Sequence, residues 1–140
     1  MNLLKDGKYV IASNLCGIHV PINGMYITYG TATENVAPNS TPAYFSGLSR
    51  QDGKGYARIA ITSAHLQDDG KIVYSGMLTS EDLIGAPITS DTVLTTATLV
   101  HLDEYDKNKD LFIYSAILKN QIKVIPGTHI VVSVGISIGD

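Results

Sequence analysis

The C-terminal stretch, residues 111–138, constrains the fold of this chain more than any other segment. From Ile130 to Ile138 an apolar side chain occupies every second position, and the residues between them are mostly small or polar. Successive side chains of a strand point to opposite faces, so this pattern predicts a strand with one apolar face. Residues 111–118 are apolar on both faces, which predicts a central strand covered on both sides. Pro126-Gly127 predicts the turn between the two strands.

Further strands are predicted upstream, at residues 25–30, 56–62, 71–78 and 92–102. Asp68-Asp69-Gly70 is a strong hairpin-turn signal between two of them. Residues 9–15 and 80–83 have the spacing or the capping residues of short helices, and residues 44–48 form a short apolar patch. We therefore predict an all-β fold, an antiparallel β-sandwich or jelly-roll-like arrangement of about seven or eight strands with at most one or two short helices.

The length of 140 residues fits one domain, so residues 1–140 are predicted to form a single β-sandwich. Residues 31–43 are polar and contain Pro38 and Pro42, which predicts a long loop or an extended arm. Such an arm could bind a neighbouring subunit.

Composition excludes several classes of function. Charged residues make up 16% of the chain, below the typical ~25%. The net charge of −3 and the presence of only two arginines argue against nucleic-acid binding. No apolar run reaches the ~20 residues that span a bilayer, and charges interrupt the N-terminal stretch where a signal peptide would be apolar. The protein is expected to be made in a cytoplasm. The lone Cys16 is predicted to be a small buried residue.

The densest group of oxygen ligands lies at residues 103–110. Asp106, Asn108 and Asp110 have the spacing that begins many calcium loops, but the twelfth position is Ile117 rather than Glu and the sixth is Leu111 rather than Gly. A solvated hairpin turn is the favoured interpretation, and these three residues form a weak candidate metal site. No other cofactor is predicted.

No catalytic residues are predicted. The four histidines lack metal-ligand spacing, and there is no nucleophile elbow or phosphate-binding loop. Arg58 is the one lone charge in the interior of a predicted strand, where it would pair with a carboxylate across the sheet or mark a subunit contact. The ion pair is the favoured hypothesis.

The chain has eight tyrosines and no tryptophan. Tyrosine combines an apolar ring with a polar tip and is enriched at interfaces, so several of them could line a glycan or protein contact. Sheet packing is the alternative for most of them, and it is the favoured interpretation for Tyr74 and Tyr114. The small, uncharged face of the last strand suits close packing against another layer or subunit. The predicted interface residues are Tyr26, Tyr29, Tyr44, Arg58, Val131, Ser133 and Ser137.

Three segments carry a resemblance to a known family: PINGMYITYG, YFSGLSRQDGKGYARIAI and DLFIYSAILKNQIKVIPGTHIVVSVGISI. Over residues 21–62 and 94–138 the order of strands and turns resembles small β-sandwich structural proteins of tailed bacteriophages, described as tail-fibre-like or tail-collar-like. The resemblance implies a non-enzymatic virion component present in multiple copies on a tail, baseplate or head surface. Within that range, we predict a structural protein of the tail, baseplate or fibre. It transfers no catalytic residues.

The expected partners are other virion proteins and copies of the same chain, with a host surface glycan as a further candidate. Nucleic acid and membrane are not expected partners. Two alternatives remain open. A capsid decoration or head-fibre protein would belong to the same structural class, whereas a carbohydrate-binding module would use tyrosine faces and the acidic loop.

Overall fold

The computed structural model describes residues 2–31, 41–51, 53–85, 87–89 and 91–137. Within these residues, two helices, α1 (Lys5–Leu15) and α2 (Pro42–Leu48), accompany eight strands. Short 3₁₀ turns lie at Ser80–Asp82 and Lys107–Lys109. The strands are β1 (Asn2–Leu3), β2 (Gly24–Thr31), β3 (Gly55–Leu66), β4 (Lys71–Thr79), β5 (Leu83–Gly85), β6 (Thr92–His101), β7 (Leu111–Lys123) and β8 (His129–Ser137).

The strands follow the order β1-β7-β6-β2-β3-β4-β8, and β5 pairs with β3 beside this path. All the pairings are antiparallel. Strand β3 changes partners along its length: its first half pairs with β2 and β5, and its second half pairs with β4 after an irregularity between Ile61 and Ser63. A bulge of this kind bends a strand, which lets one long strand serve two layers.

The larger layer contains β1, β7, β6, β2, β5 and the first half of β3, and the smaller, second layer contains the second half of β3, β4 and β8. The two layers meet in the main core. Met25 of β2 and Leu99 of β6 belong to the same buried cluster as Leu78 of β4 and Val132 of β8. Because β4 and β8 are not hydrogen-bonded to β2 or β6, these contacts are made face to face. The structure is an antiparallel, sandwich-like all-β fold with two short helices, and the predicted fold class is confirmed.

A second core lies on the opposite face of the larger layer. Tyr26, Tyr56 and Phe112 from three strands surround Phe45 of α2, with the Phe45 and Phe112 rings stacked at 5.4 Å between centroids. Helix α1 packs on β7, where Gly7 lies against the carbonyl oxygen of Ile113. Neither helix in the described part of the chain has the length and apolar character needed to cross a membrane.

The predicted strands are present, and the DDG turn is confirmed by the positive φ of Gly70 and a hydrogen bond from the backbone N–H of Lys71 to Asp69. The predicted central position of residues 111–118 is wrong in part, because β7 is next to the sheet edge and Ile117 is exposed. Helix α2 was not predicted. The prediction for Cys16 is also wrong: its side chain is exposed after the end of α1.

The predicted arm lies mostly outside the described residues, which omit 32–40. Its ends are described and belong to regular elements: Thr31 ends β2, and Pro42 and Ala43 begin α2. The side chain of Thr41 caps this helix by accepting a hydrogen bond from the Tyr44 backbone N–H.

Candidate functional site

A buried carboxylate organises one end of the larger layer. Asp110 immediately precedes β7 and is 4% exposed. Its Oδ2 accepts hydrogen bonds from the Tyr26 hydroxyl at 2.5 Å and from Arg58 Nε at 2.7 Å. Its Oδ1 accepts from Arg58 Nη2 at 3.0 Å and from the Asp103 backbone N–H at 2.6 Å. The carboxylate therefore has four donors, which compensate for its burial.

The sheet register brings these donors together. Tyr26 on β2 and Arg58 on β3 are directly paired residues, so their side chains lie on the same face. Arg58 uses two of its nitrogens as a fork on the carboxylate, and Nη2 also donates to the Asp103 carbonyl at 3.2 Å. The predicted pairing of Arg58 with a carboxylate across the sheet is confirmed.

The network shifts the pKa values of its members in consistent directions. Burial opposes ionisation of Asp110, but hydrogen bonds from Arg58, Tyr26 and the Asp103 backbone outweigh it and hold the Asp110 pKa below its usual range. Burial and the adjacent carboxylate raise the pKa of the Tyr26 hydroxyl. The hydrogen bonds to Asp110 raise the pKa of the Arg58 guanidinium. The site therefore holds a fixed ion pair with a neutral tyrosine at neutral pH.

The loop between β6 and β7 is held by its own aspartates. Asp103 Oδ2 accepts hydrogen bonds from the backbone N–H groups of Tyr105 (3.1 Å) and Asp106 (2.8 Å). These two bonds lower the pKa of Asp103. Asp106 Oδ1 accepts from the Asn108 backbone N–H at 2.9 Å. The loop thus has a defined backbone conformation, which Asp110 anchors to the sheet.

A cleft of about 650 Å³ opens between this loop and the end of the sheet. His101 Nδ1 lies 2.7 Å from the Pro21 carbonyl oxygen. A carbonyl can only accept, so Nδ1 carries a proton in this contact. At the mouth, the Tyr105 ring is 91% exposed. The lining residues are Asn23, Arg58, His101, Leu102, Asp103, Glu104 and Tyr105.

These groups can hydrogen-bond a polar ligand from several sides. The cleft offers carboxylate acceptors from Asp103 and Glu104, donors from Arg58 and Asn23, and an aromatic face from Tyr105.

The structure does not bring the side chains of the weak candidate metal site, Asp106, Asn108 and Asp110, together around one point. Asp110 points into the network with Arg58, whereas Asp106 turns back onto the Asn108 backbone. Among the described residues, no group of three His, Cys, Asp or Glu side chains could hold a metal ion.

The predicted interface residues fall into two groups. Tyr26 and Tyr29 are 2% and 1% exposed, so they are core residues and their predicted interface role is wrong. They point to opposite faces of β2, and both faces are covered, one by α2 and one by the second layer. Tyr44 is half-buried on α2 with its ring 5.3 Å from that of Phe45. Arg58 is half-buried in the Asp110 network.

The other three, Val131, Ser133 and Ser137, are exposed on β8. In the described part of the chain β8 pairs with β4 alone, so its other edge is open. Ser133 Oγ lies 2.8 Å from Ser75 Oγ on the outward face, and Val131 is 62% exposed. Val132 and Val134 point into the core, as the alternating pattern predicts.

The sequence interpretation missed the cleft. His101 and Asn23 are 78 positions apart and carry no shared motif, and they come together because β2 and β6 are neighbours. The one available signal was the Asp103-x-Tyr105-Asp106 spacing, in which an aspartate can cap its own turn.

Comparison with protein-family models, with curated proteins and with solved structures found no match to this chain.

Proposed function

We propose that this protein is a non-enzymatic structural component of a tailed-phage virion, assembling in multiple copies on the tail, baseplate or fibre. The sequence resemblance provides the biological setting, in which the chain is made in the host cytoplasm and then joins the particle. The open edge of β8 is the observation that supports assembly.

An open strand edge presents unpaired backbone N–H and C=O groups to any other strand. Monomeric proteins normally protect such edges with lysine, proline, inward-pointing charge or a covering loop. The nine residues of β8 contain no Asp, Glu, Lys, Arg or Pro. A long strand that carries none of these protective residue types is suited to pairing with another chain.

The outward face of β8 adds a second favourable feature. Ser133, Gly135 and Ser137 are small, and the branched side chain of Val131 stands out from them. Two backbones can approach closely along such a face. The low overall charge of the chain reduces the repulsion between many copies packed together.

Mass measurement in solution tests this proposal. Light scattering coupled to gel filtration should give a multiple of 15.0 kDa for the wild-type chain. Val131→Lys places a charge at the open edge and should shift the protein to monomer. Ala12→Lys, on the exposed face of α1, is the matched control and should leave the mass unchanged. A wild-type monomer at high concentration would contradict the proposal.

A capsid decoration or head-fibre protein would use the same edge at another place on the particle. Imaging of particles that carry a labelled copy of the chain separates the two locations, since label on the tail supports the proposal and label on the head supports the alternative.

The cleft favours a second candidate function, saccharide binding. A saccharide is a neutral polyol that needs donors and acceptors around its rim and an apolar surface under its ring. The donors and acceptors of the cleft are the side chains of Asp103, Glu104, Arg58 and Asn23. The apolar surface is the exposed ring of Tyr105. The Asp103 turn fixes the backbone at Tyr105, which lowers the entropy cost of binding.

Nuclear magnetic resonance titration with neutral and N-acetylated hexose oligosaccharides tests this second function. Saturable shifts at residues 101–105, with an affinity that weakens about fivefold in Tyr105→Ala, would support it, because loss of a stacked ring costs about 1 kcal/mol. Tyr9→Ala, at an exposed tyrosine on α1, is the control and should bind normally. Absence of shifts with the whole panel would contradict this function.

A further inference from the structure

We infer that two copies of this chain pair through β8, antiparallel, about a twofold axis at Ser133. The inference rests on the proposed assembly function and names its partner and register. The partner is a second copy of the same chain, and the two smaller layers join into one continuous sheet.

The sequence of β8 is close to a palindrome about Ser133. Antiparallel pairing about an axis at this residue places Val132 opposite Val134 of the second copy and Ile130 opposite Ile136. Each of these pairs joins one branched aliphatic residue to another. Branched pairs of this kind stabilise antiparallel strands.

The same register keeps each face of the sheet consistent. Directly opposite residues in an antiparallel pair lie on one face, and this axis matches even-numbered residues with even-numbered ones. Val132 and Val134 point into the core of each copy, so the apolar inner face continues across the junction. A shift by one residue would place core side chains opposite exposed ones.

The outward face is also complementary. Val131, 62% exposed, falls opposite Gly135 of the second copy, which brings no side chain of its own to the pair. The flexible side chain of Lys71 lies over Gly135 and would shift aside. Ser133 falls opposite Ser133, and β8 brings no like charges together. These features specify a second copy of this chain as the partner.

Cysteine cross-linking tests the register. In a Cys16→Ser background, which removes the exposed native thiol, Ser133→Cys should form a covalent dimer under oxidised glutathione. Its Cα atoms would lie about 4.5–5.5 Å apart across the axis, within the range for a disulfide. Val131→Cys should not cross-link, because its two copies would be displaced by about 13 Å along the strands. Ser63→Cys, exposed on β3, controls for random collisions.

The outcomes separate this inference from the proposed function. An unreactive Ser133→Cys in a chain that is multimeric by mass overturns the register and leaves assembly standing. Cross-linking of Val131→Cys as fast as that of Ser133→Cys also overturns it. A monomeric wild-type chain with an unreactive Ser133→Cys overturns both.

Discussion

The hydroxyl of Tyr26, on β2, donates a hydrogen bond of 2.5 Å to the carboxylate of Asp110, 84 positions later in the chain. This contact joins the second core to the start of β7 and, through Asp103, to the loop that shapes the cleft. A buried carboxylate depends on each of its donors, because an unsatisfied charge is costly away from water. We therefore expect the loss of a single donor from this network to lower the free energy of unfolding of the whole protein.

Tyr26→Phe removes one donor and keeps the ring that packs on Phe45 and Phe112. We expect the free energy of unfolding to fall by about 2 kcal/mol, the usual contribution of a hydrogen bond to a charged group. Tyr105→Phe, at the exposed mouth of the cleft, should change stability by less than about 0.5 kcal/mol. Urea denaturation of both variants measures the difference, and equal effects would contradict the assigned importance of the network.

The lowered pKa of Asp110 predicts a particular pH dependence. A carboxyl group whose folded pKa lies below its unfolded value of about 3.9 stabilises the fold above that value and loses this contribution as pH falls through the folded pKa. The wild type should therefore exceed Asp110→Asn in stability most at neutral pH, with the gap narrowing below about pH 4. Thermal unfolding of both proteins, from neutral pH to below about pH 4, measures this difference in stability. A gap that stays constant with pH would show that Asp110 acts through shape rather than charge.

Two helical glycines should respond to alanine in opposite directions. A Cβ at Gly7 would overlap the Ile113 carbonyl, so Gly7→Ala should separate α1 from β7 and destabilise the protein despite the better helix propensity of alanine. A Cβ at Gly47 meets nothing within 4 Å, so Gly47→Ala in α2 should stabilise by about 0.5–1 kcal/mol. Melting temperatures of the two variants test this, and a stabilised Gly7→Ala would contradict the packing of α1.

Local patterns predicted the strands, because burial on one face leaves an alternation that the sequence displays directly. The pattern in β8 predicted that Val132 and Val134 face inward, and they do. Helix α2 was missed because its seven residues are too few to show a period. The Thr41-Pro42 pair, a cap followed by proline at the first helical position, was the signal that could have indicated it.

The candidate site was harder to predict because its contacts are distant in sequence. Asp110 was assigned to a calcium-like run from its near neighbours, whereas its carboxylate bonds to Arg58, 52 positions away. Tyr26 and Tyr29 were assigned to an interface from their residue type. Their burial depends on α2 and on the second layer, and neither can be inferred from β2 alone.

The account depends most on β8 being the edge at which copies join. Residue-resolved hydrogen exchange tests this directly, by comparing the wild type with Val131→Lys at the same high concentration. The account predicts that amides of residues 129–137 facing the open edge are protected in the wild type and exchange freely in the variant. Amides of β4, already bonded within the chain, should be protected in both. Equal and rapid exchange at the β8 edge in both proteins would contradict it.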